Sequence, residues 1–168
     1  RSRSPKDLRV AVLTVSTSRY EKKMRGEEYV DESGDLAVSM LREMGYQVDY
    51  LGVVNDDITM IRRTVVRAAG ENYDAIIITG GTGLSPRDVT IEALAPLLDK
   101  EIEGFGEIFR VESYRRVGAA AALSRATAGI HSGKLVMALP GSPNAVRTAL
   151  ELFGKELPHA IFIARGLH

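Results

Sequence analysis

The feature that most constrains the fold is a strand-like segment that ends in a cluster of glycines. Residues 73–79 are dominated by β-branched side chains, and three glycines follow within residues 80–83. A continuous run of this kind is typical of a strand covered on both faces, as in a parallel sheet. Glycines after a strand allow positive φ angles and a close approach of the backbone to a ligand. The sequence therefore predicts an anion-binding loop at the carboxyl end of a buried parallel strand, with a simple tight turn as the alternative.

Strand-like and helix-like patterns alternate along the rest of the chain. Strands are predicted at residues 8–15, 46–54, 73–79 and 135–139, and helices at residues 34–44, from residue 58, around residues 94–98, and after residues 140–143 as the final helix. Residues 101–127 are less regular and indicate a glycine-broken segment with one or two helices. The order predicts a three-layer α/β/α fold, with a mostly parallel sheet and helices on both faces. We expect a short tail at residues 1–7 and a single domain at residues 8–168.

Composition excludes several classes of function. Lys+Arg and Asp+Glu both total 22, so no net charge draws the chain to nucleic acid or to an anionic membrane. The chain has no cysteine, which excludes disulfides and thiolate metal sites and suits a reducing cytoplasm. No apolar run approaches the roughly 18 residues that a membrane span requires. The three histidines are scattered without metal-ligand spacing.

Polar or glycine-rich segments follow each of the four predicted strands. Ser16 follows the first strand, Asp56 the second, residues 80–88 the third and residues 140–144 the last. Ligands of open α/β sheets bind outside the carboxyl ends of the strands. These four loops therefore predict one crevice, in which Arg87 and Asp88 place a cation and a carboxylate just beyond the glycines.

Asp56 and Asp88 each have two explanations. Both precede a helical pattern, where aspartate is a favoured N-cap, and Thr90 is a second candidate cap for the same helix as Asp88. Considered together beside a phosphate-binding loop, the two carboxylates favour a shared Mg²⁺ bound to nucleotide oxygens. Arg125 could face a phosphate or solvent. The polar tract 19–32 could be a flap over the site or a solvated loop, and the loop is the favoured interpretation.

Several motifs then resemble one known family. Thr-Gly-Gly-Thr-Gly at residues 79–83, Arg-Asp-Val-Thr at residues 87–90 with Glu92, and the segments 103–107, 123–126 and 139–143 follow the order of that family's signature. The chain is similar in these motifs to the molybdopterin adenylyltransferase family (MoaB/MogA type). The likeness extends from about residue 10 to about residue 146, and the length is closest to the MoaB branch. Asn55 and Ile91 depart from it, since relatives often carry proline there.

The resemblance implies transfer of AMP from ATP to the terminal phosphate of molybdopterin, with release of pyrophosphate. It assigns Asp56 and Asp88 to the two essential carboxylate positions, which handle Mg²⁺ and ATP. The implied nucleotide- and pterin-binding residues are Ser16, Asp31, Ser33, Gly80, Gly81, Thr82, Gly83, Arg87, Thr90, Glu103, Gly104, Ser124, Pro140, Gly141 and Ser142. The family also implies a homotrimer or homohexamer and contact with a molybdate-insertion protein. A non-catalytic molybdopterin-binding scaffold and a related molybdate-insertion domain are the alternatives.

Overall fold

A computed structural model describes residues 7–166 as strands alternating with helices. The strands are β1 (Arg9–Val15), β2 (Gln47–Val54), β3 (Ala75–Thr79), β4 (Lys100–Glu101), β5 (Thr127–His131) and β6 (Lys134–Leu139). The helices are α1 (Thr17–Met24), α2 (Glu32–Glu43), α3 (Ile58–Gly70), α4 (Thr90–Leu94), α5 (Glu103–Val117), α6 (Pro143–Phe153) and α7 (Leu157–Ala164). Among the residues described, no helix combines the length and the apolar character that crossing a bilayer needs.

The strands form one sheet in the order β2-β1-β3-β6-β5-β4. Parallel pairing joins β2, β1, β3 and β6, and Ile77 at the centre of β3 pairs with Val12 and Met137. β5 is antiparallel to β6 and to the short edge strand β4. The prediction of a mostly parallel sheet is therefore confirmed, with an antiparallel extension at one edge.

Alternate residues of the central strands face two separate cores. Val10, Val12 and Ile77 belong to one core, which α2, α5, α6 and α7 cover. Ile76 and Ile78 belong to the other, which α3 and α4 cover. Because side chains of successive strand residues point to opposite faces, a continuous apolar run such as β3 needs helices on both sides. The predicted α/β/α layering is confirmed.

Two helices differ from the sequence-based predictions. The favoured interpretation of the tract 19–32 as a loop was wrong over its first part, because α1 occupies Thr17–Met24. None of the residues of α1 is buried, so the helix has no apolar stripe that periodicity could detect. The helix predicted to be final, α6, is followed by α7 after a turn at residues 154–156.

The irregular segment 101–127 resolves into one long helix and a turn. α5 runs for 15 residues and ends at Val117; Gly118, where φ is +81°, is its C-cap and begins a 3-10 segment through the alanines. β5, which the sequence analysis did not predict, then returns the chain to the sheet. Phe105, near the start of α5, is buried in the core at 3% exposure. Of the tail expected at residues 1–7, only Asp7 lies within the described residues.

Candidate active site

A cavity of about 520 Å³ lies at the carboxyl edge of the sheet. The chain leaves β1 for β2 on one side and returns to the other side of β1 for β3. Ligands of open α/β sheets bind at this kind of topological switch point. Of the residues predicted for the site, the cavity is lined by Ser16, Asp31, Ser33, Asp56, Gly80, Gly81, Thr82, Gly83, Arg87, Asp88, Ser124, Pro140, Gly141 and Ser142.

The loop after β3 lines this cavity and contains backbone N–H groups that lack partners in the described part of the chain. Gly80 and Gly81 have φ angles of +97° and +71°, which favour glycine. The structure gives the N–H groups of Gly81, Thr82 and Gly83 no hydrogen-bond partner within residues 7–166. Successive N–H groups in a loop of this kind form a concave site for anions. The loop can therefore donate several hydrogen bonds to one phosphate group.

Neighbouring loops hold this segment closely. The N–H of Gly80 donates to the carbonyl of Leu139 at 2.9 Å. A Cβ on Gly80 would lie 2.2 Å from the carbonyl oxygen of Val15, and one on Gly141 would lie 3.0 Å from the Cα of Gly80. At the ends of β1, β3 and β6 the backbones therefore approach too closely for a Cβ on Gly80 or Gly141 to fit without a shift.

The two adjacent aspartates after β2 have different roles. Asp57 is the N-cap of α3, and its side chain accepts a hydrogen bond from the N–H of Met60 at 2.8 Å. Asp56 instead accepts from both the N–H and the hydroxyl of Thr17, at 2.9 and 2.6 Å. The capping explanation is therefore wrong for Asp56, whose carboxylate joins the loop after β2 to the start of α1 at the cavity wall.

Asp88 is not a helix cap either. The N-cap of α4 is Val89, which makes no side-chain capping bond, and the Asp88 carboxylate accepts from the N–H of Ser85 at 3.1 Å. Thr90, the other candidate cap, is the first residue of α4. Its buried hydroxyl donates to the carbonyl of Gly80 at 2.8 Å, so Thr90 supports the loop from behind.

Arg125 lies beside the same loop. Its guanidinium forms a two-pronged ion pair with Glu92, at 2.6 and 3.2 Å, and its Nε donates to the carbonyl of Thr82 at 3.0 Å. The hydrogen bond with Glu92 is the main reason why the pKa of Arg125 is raised and the pKa of Glu92 is lowered. Arg125 was expected to face either a phosphate or solvent. Its guanidinium instead binds protein carbonyls and a carboxylate.

Asp31 is both a cavity residue and a structural group. It is 5% exposed and is the N-cap of α2, where it accepts from the N–H of Gly34 at 3.0 Å. Thr14 and Tyr50 also donate their hydroxyl hydrogens to it. Burial, followed by the hydrogen bond to Asp31, raises the pKa of the Tyr50 phenol. Tyr50 and Thr14 were not predicted from the sequence, because a polar residue within a strand has no motif that marks it.

Known proteins resemble this chain along almost its whole length. A family model described as "Probable molybdopterin binding domain" matches residues 11–159. The chain belongs to this family. It is 43% identical over 157 residues to the "Probable molybdopterin adenylyltransferase" of Methanocaldococcus jannaschii, with 93% of each chain covered. It is 42% identical over 166 residues to the "Molybdopterin adenylyltransferase" of Pyrococcus furiosus, with 96% of this chain and 94% of the relative covered.

Solved structures of the molybdopterin-binding family have the same fold. The crystal structure of a molybdenum cofactor biosynthesis protein B is 41% identical, with a TM-score of 0.86 and coverage of 98% of this chain and 99% of that chain. The tungsten cofactor synthesizing protein MoaB of Pyrococcus furiosus is 42% identical, with a TM-score of 0.84 and coverage of 96% and 99%. The resemblance inferred from the motifs is confirmed.

Three residues that the family resemblance assigned to the site do not line the cavity. Thr90 is fully buried beneath the loop, while Glu103 and Gly104 are exposed at the start of α5. Conversely, Thr17 and Arg19 line the cavity without having been assigned to it. They belong to the start of α1, a helix whose part from residue 19 onward had been predicted as a loop.

Asp56 and Asp88, two of the three aspartates that line the cavity, have carboxylates that could hold a magnesium ion arriving with a nucleotide. Mg²⁺ is usually bound by one or two carboxylates together with substrate phosphates and water. Within the described part of the chain, Oδ1 of Asp56 and Oδ1 of Asp88 accept no hydrogen bond. The same part of the chain contains no group of three or more histidine or acidic residues that could hold a metal by itself. The Oδ1 atoms of Asp56 and Asp88 are therefore available to a ligand or ion in the cavity.

Proposed function

We propose that this protein is a molybdopterin adenylyltransferase, which transfers AMP from Mg-ATP to the terminal phosphate of molybdopterin and releases pyrophosphate. The observation that carries the proposal is a loop whose N–H groups have no partner among residues 7–166, which lines one cavity of a molybdopterin-binding domain together with the carboxylates of Asp56 and Asp88. Relatives named for this activity are 42–43% identical over nearly the whole chain.

The reaction needs little general acid–base catalysis. An oxygen of the molybdopterin phosphate forms a bond to the α-phosphorus of ATP, and the bond from that phosphorus to the β-phosphate oxygen breaks. Pyrophosphate leaves with the electron pair. The attacking monoester is already anionic near neutral pH, so no general base is required, and the described residues that line the cavity include no histidine. The obstacle is the approach of two polyanions in line, which positioning and charge stabilisation overcome.

The chain supplies the donors that such an approach needs. We assign phosphate binding to the N–H groups of residues 81–83 and to Arg87, whose guanidinium has no partner among the residues described. Backbone donors held before the substrate arrives need no reorganisation during the reaction. Magnesium, held by Asp56 and Asp88, would neutralise charge on the phosphate oxygens.

The remaining cavity residues would bind the nucleotide and the pterin. They are Ser16, Asp31, Ser33, Ser124, Pro140, Gly141 and Ser142. Asp31 already accepts three hydrogen bonds, so we assign it to shaping the wall. For Glu103 and Gly104, which lie away from the cavity, only the resemblance supports a role.

Incubation of the protein with Mg-ATP and molybdopterin tests the proposal directly. We expect adenylyl-molybdopterin and pyrophosphate in equal amounts, detected by chromatography and a pyrophosphate assay. Tight molybdopterin binding without either product would instead identify a non-catalytic scaffold. Conversion of adenylyl-molybdopterin and molybdate to a metal-containing product would identify a molybdate-insertion domain.

Neighbouring aspartates offer a matched control for the carboxylate assignment. Asp56→Asn and Asp88→Asn should lose about two orders of magnitude in turnover while molybdopterin still binds. Asp57→Asn should retain full turnover, since asparagine is an equally good N-cap. Full activity in Asp88→Asn would refute its role.

The magnesium assignment predicts that Asp88→Asn changes the affinity for ATP in opposite directions with and without Mg²⁺. Without a divalent cation, the Asp88 carboxylate repels the phosphates of ATP, so Asp88→Asn should bind ATP more tightly than the wild type. With excess Mg²⁺ the variant should bind ATP more weakly. Calorimetric titrations with and without Mg²⁺ measure both, and weaker binding under both conditions would exclude the metal-holding role.

We also propose that the protein assembles as a homotrimer or homohexamer in the cytoplasm. Ile108, Val111 and Tyr114 share one side of α5 and are 52%, 62% and 63% exposed. Large apolar side chains grouped on a surface mark protein interaction sites. Sedimentation velocity of wild type and Val111→Asp tests this, and a monomeric wild type would contradict it. Contact with a molybdate-insertion protein stays a prediction of the resemblance.

A further inference from the structure

Arg125 connects three parts of the molecule around the anion-binding loop. Its guanidinium donates to the carbonyls of Thr82 and Asp88, at 3.0 and 3.4 Å, and to both carboxylate oxygens of Glu92. Its backbone N–H donates to the same Thr82 carbonyl at 3.2 Å. Arg125 follows Ser124, which lines the cavity, whereas Arg125 itself does not.

The two bonds to Thr82 determine how the next peptide group is oriented. In a planar trans peptide the C=O of one residue and the N–H of the next point in opposite directions. Because the Thr82 carbonyl points at Arg125, the Gly83 N–H points away from Arg125. Gly83 lines the cavity, and its N–H has no partner among residues 7–166. Arg125 therefore fixes the direction of one of the donors that the loop offers to an anion.

Two cations near the loop thus have separate tasks. Arg87 lines the cavity and is exposed, with no ion pair in the described structure. The Arg125 guanidinium is engaged by Glu92 and two carbonyls, so it is committed to the protein. A lysine could not reproduce this pattern, since its point charge lacks the planar fork.

We infer that Arg125, oriented by Glu92, is a positioning residue for the proposed adenylyl transfer, which acts by holding the Thr82–Gly83 peptide with its N–H toward the substrate phosphate. The inference rests on the proposed function but concerns a residue that does not touch the substrate. Its contribution should appear in turnover more than in folding, because ion pairs exposed to solvent contribute little to stability. The Arg125 and Glu92 side chains are 33% and 49% exposed.

Steady-state kinetics of Arg125→Gln, Arg125→Lys and Glu92→Gln test the inference. We expect kcat of Arg125→Gln to fall by about ten- to a hundredfold, the range that follows from displacing a positioned group. The KM for molybdopterin and the urea midpoint should stay near the wild-type values. Arg125→Lys should recover only part of the loss. Glu92→Gln should lose less than Arg125→Gln, because the bond from Nε to Thr82 remains.

Arg25 provides a matched control. It forms a forked pair with Glu27 at 2.6 and 3.4 Å, and neither residue lines the cavity. Arg25→Lys should therefore leave kcat unchanged. An Arg125→Gln variant with kcat within twofold of wild type would overturn the inference. A fall in kcat matched by an equal fall in the fraction of folded protein would overturn it too, by showing a purely structural role.

Binding of pyrophosphate separates this inference from the proposed function. Absence of adenylyl-molybdopterin with the wild type would refute the proposed function alone. In that event, calorimetric titration with pyrophosphate still tests the positioning role. Arg125→Gln should bind pyrophosphate at least several-fold more weakly than Arg25→Lys, and equal affinity would overturn the inference.

Discussion

Replacement of Gly81 by alanine measures how closely the anion-binding loop is packed. Gly81 has a φ of +71°, and a Cβ there would lie 2.3 Å from Oγ1 of Thr90 and 3.1 Å from Oδ1 of Asp56. Gly26 offers a matched control, since its φ is +70° and a Cβ there would meet nothing within 4 Å. Both variants place alanine at a positive φ angle, but only Gly81→Ala also creates a steric clash.

The expected magnitudes follow from these contacts. A non-glycine residue in the left-handed region costs about 1–2 kcal/mol, which is the whole effect expected for Gly26→Ala. In Gly81→Ala the Thr90 hydroxyl must also move. Thr90 is 0% exposed and its hydroxyl donates to the Gly80 carbonyl at 2.8 Å. Leaving these buried groups unpaired costs about 1–3 kcal/mol more.

Urea unfolding of both variants at equal protein concentration measures the difference, because an oligomer's stability depends on concentration. Adding Thr90→Ala to Gly81→Ala should recover part of the loss, as expected for residues in contact. Turnover should be lost in Gly81→Ala, which displaces Asp56, and retained in Gly26→Ala. A difference between the single variants below about 0.5 kcal/mol would refute the packing argument.

Three further variants test the parts of the fold that hold the site. Burial raises the pKa of Tyr46 from 10.0 to about 12, so the stability that the protonated phenol contributes is complete below pH 10 and is lost as pH rises toward 12. The free energy of unfolding, measured with urea, should therefore fall by up to about 3 kcal/mol over this range in the wild type, and Tyr46→Phe should flatten the decline. An unchanged slope would contradict that. Ser142 caps α6 by accepting from the N–H of Ala145 at 3.1 Å, so Ser142→Ala should lower the free energy of unfolding by about 1 kcal/mol and Ser142→Asn by much less. Leu150 is fully buried, and Leu150→Ala should cost about 2–5 kcal/mol in the same assay; a cost below that range would show that the core collapses around the gap.

Elements with a strong apolar pattern were predictable from the sequence, and elements without one were not. β3 is buried at all five positions, and its run of isoleucines indicated a covered parallel strand. β5 was missed because Gly129 interrupts it and Ile130 is its only large apolar residue. α1 was missed because all of its residues are at least partly exposed. The periodicity of apolar residues reflects burial, so it cannot reveal an element that buries few side chains.

The position of the site was predictable, but the task of each side chain was not. The rule that ligands bind at the carboxyl ends of strands located the loops after β1, β2, β3 and β6. It could not distinguish Asp56 from Asp57, because the difference depends on where Thr17 lies in the folded chain. The same holds for Arg125, whose partners Thr82 and Glu92 are 43 and 33 residues away in sequence.

The loop after β3 owes its conformation to the chain around it. Gly80 is fixed between the carbonyls of Val15 and Leu139, and Thr90 bonds to it from below. Arg125 holds the following part of the loop by donating a hydrogen bond to the Thr82 carbonyl. These contacts hold the loop in a conformation in which the N–H groups of residues 81–83 have no partner in the described part of the chain. Since donors oriented in advance stabilise developing charge without reorganisation, the close packing of this loop is the physical basis for its proposed part in phosphoryl transfer.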